Sequence, residues 1–167
     1  MLIRNALIPE FDREAATTRR VLERIPDDKF SFKPHPKSTD MASLATHVCE
    51  VTAWGASTLS QDSVDLAEFD PSKRKIAASN AELLEMFDKS VVAARGALNA
   101  AENEQFMLPW SLKSGDKVFF TMPRGVVLRS FVFNHIVHHR AQLGVYLRLN
   151  DIPVPQMYGP TADEPGM

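Results

Sequence analysis

Apolar residues recur along this chain at helical spacing in four long stretches, separated by loops rich in proline and polar residues. The first stretch runs from about Leu2 to Arg24. Pro9 interrupts it and either kinks the helix or marks its true start. Ile25-Pro26-Asp27-Asp28 closes it, and Pro34 and Pro36 make the segment from Lys29 to Ser38 a loop. Ser38, Thr39 and Asp40 offer N-caps for a second helix, with apolar positions 41, 44, 48, 51 and 55, ending near Ser60. After a polar connection, Ser79-Asn80-Ala81-Glu82 reads as a capping box for a third helix, through Leu83, Phe87, Val91 and Leu98 to about Ala101. Between Phe106 and Met122 the pattern becomes two short strand-like runs around Gly115, a small hairpin. A fourth helix starts near Pro123 or Arg124 and stops at Asn150-Asp151-Ile152-Pro153, leaving an extended, polar tail from Val154 to Glu164. The predicted fold is all-α: one domain over residues 1–167, an antiparallel four-helix bundle with a hairpin inserted before the last helix.

The composition narrows the function classes. A chain of 167 residues, 44% hydrophobic and 24% charged, can bury a core without disulfides or a structural metal. A formal charge of −2 with no basic cluster gives no footprint for nucleic acid. The first residues do not read as a signal peptide, and no run approaches the roughly 18 apolar residues of a membrane span. One cysteine, Cys49, excludes an internal disulfide and points to a reducing cytoplasm; it reads as a small core residue.

The chemistry is concentrated in Asn134-His135-Ile136-Val137-His138-His139-Arg140-Ala141-Gln142-Leu143. Residues four apart share a helix face, so two imidazoles at that spacing can converge on one metal ion. With Leu128 as the zero of a helical wheel, His135, His139, Val132, Gln142, Leu143 and Tyr146 fall within roughly 60° of it. His138 lies roughly 80° to one side and is set apart from the pair. Two histidines inside an apolar stripe leave ring nitrogens in need of partners; a buried polar network is the physical alternative to a metal. The best third ligand is His47, flanking the stripe of the second helix, whereas His35 between two prolines is excluded. Gln142 and Glu50 are candidates to orient the imidazoles or to act as a base, although Glu50 reads more readily as a solvated or capping residue.

The combination of Lys37-Ser38-Thr39-Asp40-Met41, Leu44-Ala45-Thr46-His47, the histidine-rich segment, Ile152-Pro153-Val154-Pro155 and Tyr158-Gly159-Pro160 resembles the DinB-like superfamily. That superfamily includes bacillithiol-dependent transferases and the mycothiol-dependent maleylpyruvate isomerase. The resemblance spans nearly the whole chain, with Ala141 standing where many relatives carry glycine. It implies an up-down-down-up four-helix bundle, often dimeric, with a divalent metal held by three histidines, which map onto His47, His135 and His139.

Three neutral imidazoles leave a divalent ion its full charge and an open position, where water or a thiol would be activated near neutral pH. The expected cofactor is a divalent transition metal, zinc or nickel first, with iron, copper and manganese compatible. The expected function is a metal-dependent enzyme activating a low-molecular-weight thiol or water against a small electrophile, a thiol S-transferase or hydrolase. Its catalytic residues are not assigned. The alternatives are a non-catalytic metal-binding or stress-associated bundle, or a bundle without metal. Expected partners are a small-molecule substrate, such a thiol and a second copy of the chain, with neither nucleic acid nor membrane. Val127, Phe131 and Val145 lie away from the histidine stripe and supply the sequence support for a homodimer.

Overall fold

The computed structural model describes residues 2–165. In chain order the helices are α1 (Arg4–Glu23), α2 (Met41–Ser60), α3 (Asn80–Ala100), a short α4 (Asn103–Met107), α5 (Arg124–Val127) and α6 (Asn134–Leu149). A π-helical segment, Leu128–Phe133, joins α5 to α6, so the expected fourth helix is continuous but contains a wider turn. The protein is mostly helical: α1 packs on α3 and α6, and α2 packs on α3, α6 and the π segment.

Local chemistry sets the helix ends. Asp40 Oδ1 accepts the Ser43 amide at 2.8 Å and caps α2. Ser79 Oγ accepts the Glu82 amide at 3.2 Å to start α3, while the Glu82 carboxylate reaches back one residue beyond the cap, to the Ala78 amide at 2.8 Å. Pro9 lies inside α1 and is exposed, and the helix runs through it; the start is fixed earlier, where Ile3 donates its amide to Asn103 Oδ1 at 2.8 Å. At the end of α6, Ile152 donates to the Leu147 carbonyl and Asp151 to the Arg148 carbonyl. This Schellman arrangement puts Asp151 at φ 57°, a left-handed position that favours glycine. Leu22, Met41, Val48, Leu83, Phe87 and Leu143 are among the buried apolar residues between the helices. At Gly55 a Cβ would come within 3.0 Å of Ala94 Cβ, so the missing side chain lets α2 approach α3.

The expected hairpin forms from β2 (Pro109–Ser114) and β3 (Lys117–Pro123), antiparallel, with Gly115 at φ 57° in its turn. The connection after α2 contributes a third strand, β1 (Ser63–Asp65), which pairs parallel to β2 with Val64 opposite Leu112. Together they make a three-stranded sheet in the order β1-β2-β3. Arg124, 4% exposed, ties the sheet end to α2 by donating to the Leu59 carbonyl at 2.7 Å and to Asp62 at 2.6 Å.

The C-terminal segment does not stand free. Val154 and Met157 pack on the core, Asp163 pairs with Arg148, and Glu164 pairs with Arg24 at 2.7 Å. Beneath it lies Arg140, 1% exposed, 2.7 Å from the buried Glu14 carboxylate on α1. Arg140 also donates to the Glu14 carbonyl, to Thr18 Oγ1 and to Tyr158 Oη, and the Tyr158 hydroxyl donates to Glu14 at 2.8 Å. Among the described residues no helix is long and apolar enough to cross a membrane.

Two stability changes of opposite sign are expected. Arg140→Met leaves the Glu14 carboxylate buried without its counter-charge and should cost about 3–5 kcal/mol in urea unfolding. Asp151→Gly relieves a left-handed non-glycine residue worth about 1 kcal/mol and should raise the thermal midpoint by about 2–4 °C.

Candidate metal centre

His47 comes from the middle of α2, and His135 and His139 come from consecutive turns of α6. The α2–α6 contact brings the three rings together, with centroids 5.2 Å apart for His47 and His135, 4.8 Å for His47 and His139, and 4.6 Å for His135 and His139. One ring nitrogen from each lies within 4.8 Å of the other two, a spacing in which three imidazoles could hold one metal ion. His138 is exposed beside them and His35 is exposed in its loop, as their sequence positions suggest.

The hydrogen bonds select which nitrogen faces the cluster. His47 Nδ1 lies 3.1 Å from Glu50 Oε2, so it donates its proton to the carboxylate and leaves Nε2 as the free lone pair. His139 Nδ1 lies 2.7 Å from Gln142 Oε1 and does the same. The His135 ring is bonded to the Phe131 backbone. His139 Nε2 is buried and has no hydrogen-bond partner among the described residues. An orphaned imidazole nitrogen aimed among other imidazoles fits a metal ligand better than a closed polar network, which would pair it.

Electrostatics favour the neutral, ligating form. Burial pushes the His135 imidazolium down to about 4, and repulsion from His139, His47 and His138 adds to it. Burial likewise lowers His139, against the Gln142 hydrogen bond, which raises it. Glu50 is more than a solvated residue. Burial raises its pKa, but hydrogen bonds from His47 and from Arg74, whose Nε and Nη2 donate at 2.7 and 2.9 Å, hold it below the usual carboxylate range. With both oxygens engaged and its charge secured, Glu50 orients His47 and is a poor base.

Arg74 escapes sequence reasoning because it lies in the connection between α2 and α3, where no periodicity marks it. It also donates to the Ser43 carbonyl at 3.1 Å, which fastens that connection to α2. A cleft of about 470 Å³ beside His47 is walled by Glu50, Trp54, Val64, Phe69 and Arg74. Trp54 meets His47 edge-on at 5.6 Å and stacks on Phe131 at 5.6 Å with an interplanar angle of 9°. Cys49 faces away from the cluster, its Sγ toward the Ala45 and Leu83 carbonyls, and burial pushes its thiol up to about 12, with Glu50 adding repulsion.

Comparison with known proteins identifies the family and the fold. The sequence profile of the DinB family matches residues 1–166. The chain belongs to the DinB family. Its fold is similar to that of a DinB-like protein from Bacillus cereus ATCC 10987, at 20% identity and a TM-score of 0.67, over 90% of this chain and 94% of that one. A DinB-like protein from Bacillus subtilis gives 17% identity and a TM-score of 0.71, over 91% and 96% of the two chains. No curated protein matches this DinB-family chain.

The second apolar face expected on the last helix is mostly satisfied within the chain. Val127 is fully buried and Phe131 packs against Trp54, Trp110 and Phe120, so only Val145 of the three stays exposed.

The hydrogen bonds predict a tautomer that nitrogen chemical shifts can read. In metal-free protein at neutral pH, His47 and His139 should both carry the proton on Nδ1. Glu50→Ala should release His47 to the Nε2–H form while His139 keeps its own; an Nε2–H signal for His47 in the unmodified protein would refute the arrangement.

Proposed function

We propose that this protein is a divalent-metal-dependent enzyme that activates a low-molecular-weight thiol, or water, for attack on a small electrophilic molecule. The observation that carries this reading is the buried, unpartnered Nε2 of His139, with ligand atoms of His47 and His135 within reach. The chain is read as one up-down-down-up four-helix domain in which those three histidines are the protein ligands. Zinc or nickel suits three imidazoles, and iron, copper or manganese are accommodated by the same donors. When bound, the ion supplies positive charge at an open position, which lowers the pKa of a thiol or water there.

The rest of the work falls to the chain. Glu50, held by Arg74, keeps His47 in the ligating tautomer, and Gln142 does so for His139. The Trp54–Phe131 stack forms an apolar flank that keeps water from one side of the cluster and offers the electrophile a surface. In the transfer, the thiol gives its proton to solvent, its sulfur forms a bond to the electrophilic carbon, and the leaving group departs with its bonding pair. With water in place of the thiol, the same sequence is hydrolysis. A homodimer is part of the proposal, resting on the family likeness and the exposed Val145 and Leu149.

Elemental analysis should find about one divalent ion per chain. His135→Ala and His139→Ala should each abolish it, His138→Ala should keep it, and Glu50→Gln should weaken affinity about 10–100-fold. Chelation should remove turnover of a haloaromatic or an epoxide with added thiol, leave the helical circular dichroism intact, and be reversed by the metal. Full metal content in both the His135 and His139 variants sinks the assignment; metal without turnover reduces it to a binding protein.

A further inference from the structure

Between α2, the π segment and the three-stranded sheet lies a second cavity, of about 240 Å³. Trp54 and Thr58 line it from α2, Val64 from β1, Trp110 and Leu112 from β2, and Phe131 from the π segment. We propose that this cavity binds an uncharged, single-ring aromatic molecule. The proposal builds on the reading of the neighbouring histidines, because it names the class of electrophile the site would take.

Size comes first. An apolar cavity of about 150 Å³ suffices for benzene, so the larger volume here admits a ring with a short substituent. Charge comes second. No residue lining the cavity is ionisable, so an ionised ligand would lose its water without a counter-charge. Shape comes third. The stacked Trp54 and Phe131, with Trp110 at 6.3 Å from Phe131, surround the space with aromatic faces and edges, which receive a flat ring well.

Location completes the argument. The position suits a substrate: Trp54 lies 5.6 Å from both His47 and His135, and Trp54, Val64 and Leu66 wall this cavity and the His47 cleft alike. A ring bound here would sit one aromatic layer from the imidazoles.

The chain has two tryptophans, Trp54 and Trp110, and both line the cavity, so the two indole N–H signals of ¹⁵N-labelled protein report on it directly. The full chain is titrated, with and without zinc, with acetophenone, with α-methylstyrene, which has the same outline but no acceptor, and with benzoate. Acetophenone and α-methylstyrene should each displace an indole signal, with Trp110→Phe supplying the assignment, and benzoate should not bind. Leu112→Trp, which fills the cavity, should abolish the acetophenone response with metal content unchanged; Val64→Phe repeats the test should the first variant misfold. Binding of benzoate as tight as that of the neutral probes, no displacement of either indole, or an unaltered response in the filled variants overturns the proposal. Because the metal-free protein is titrated too, failure of the metal assignment leaves this result readable on its own.

Discussion

Arg140 and Glu14 meet at 2.7 Å with almost no access to water, on adjacent faces of α6 and α1. A charge pair so buried tolerates little change of geometry, because any rotation of α6 that separates the partners exposes each to uncompensated desolvation. Arg140 follows His139 directly, so about 100° of helix rotation separates them. Holding the guanidinium toward α1 therefore holds the imidazole toward α2. The hydrogen bonds to Thr18 and Tyr158 tighten the same constraint and recruit the C-terminal segment to it. The histidine cluster depends on this pair although neither charge touches it.

The parts of this arrangement that the sequence makes legible are those carried by local periodicity. His135 and His139 are four apart within α6, and their common face survives any uncertainty about the helix's start. Asp40 and Ser79 announce their helices because a cap bonds to a residue three positions on. Gly115 announces its hairpin for an equally local reason. Val127 is different. A wheel at a uniform 100° per residue sets it about 100° from Leu128 and apart from the core, whereas the wider π turn between Leu128 and Phe133 shifts the phase of what precedes it. Val127 ends buried, and Phe131 ends against Trp54. Nothing in the residues Leu-Arg-Ser-Phe-Val-Phe marks a π turn.

Contacts between residues distant in the chain are the other blind spot. Arg74 reaches Glu50 across 24 residues, and β1 is a three-residue strand whose partner comes 48 positions later, Ser63 opposite Ser111. Such pairings follow from how the helices stack and leave no pattern in a window of a dozen residues. The tail misleads in a related way: its polar residues suggest solvent, yet Asp163 and Glu164 are polar because they bind Arg148 and Arg24. The sheet adds Val64, Trp110 and Leu112 to the wall of the aromatic space beside the histidines.

The depth of Cys49 carries a consequence for the protein's own durability. A thiol attacks electrophiles and oxidants through its thiolate, and a group pushed up to about 12 behind 99% coverage forms almost none at neutral pH. Cys49 is also the chain's one cysteine. If the site one helical face away receives reactive carbon compounds, as proposed, the protein has no cysteine of its own to offer them. Sulfur chemistry at such a centre would have to be brought in by a diffusible molecule, and each encounter would leave the protein's cysteine unmarked.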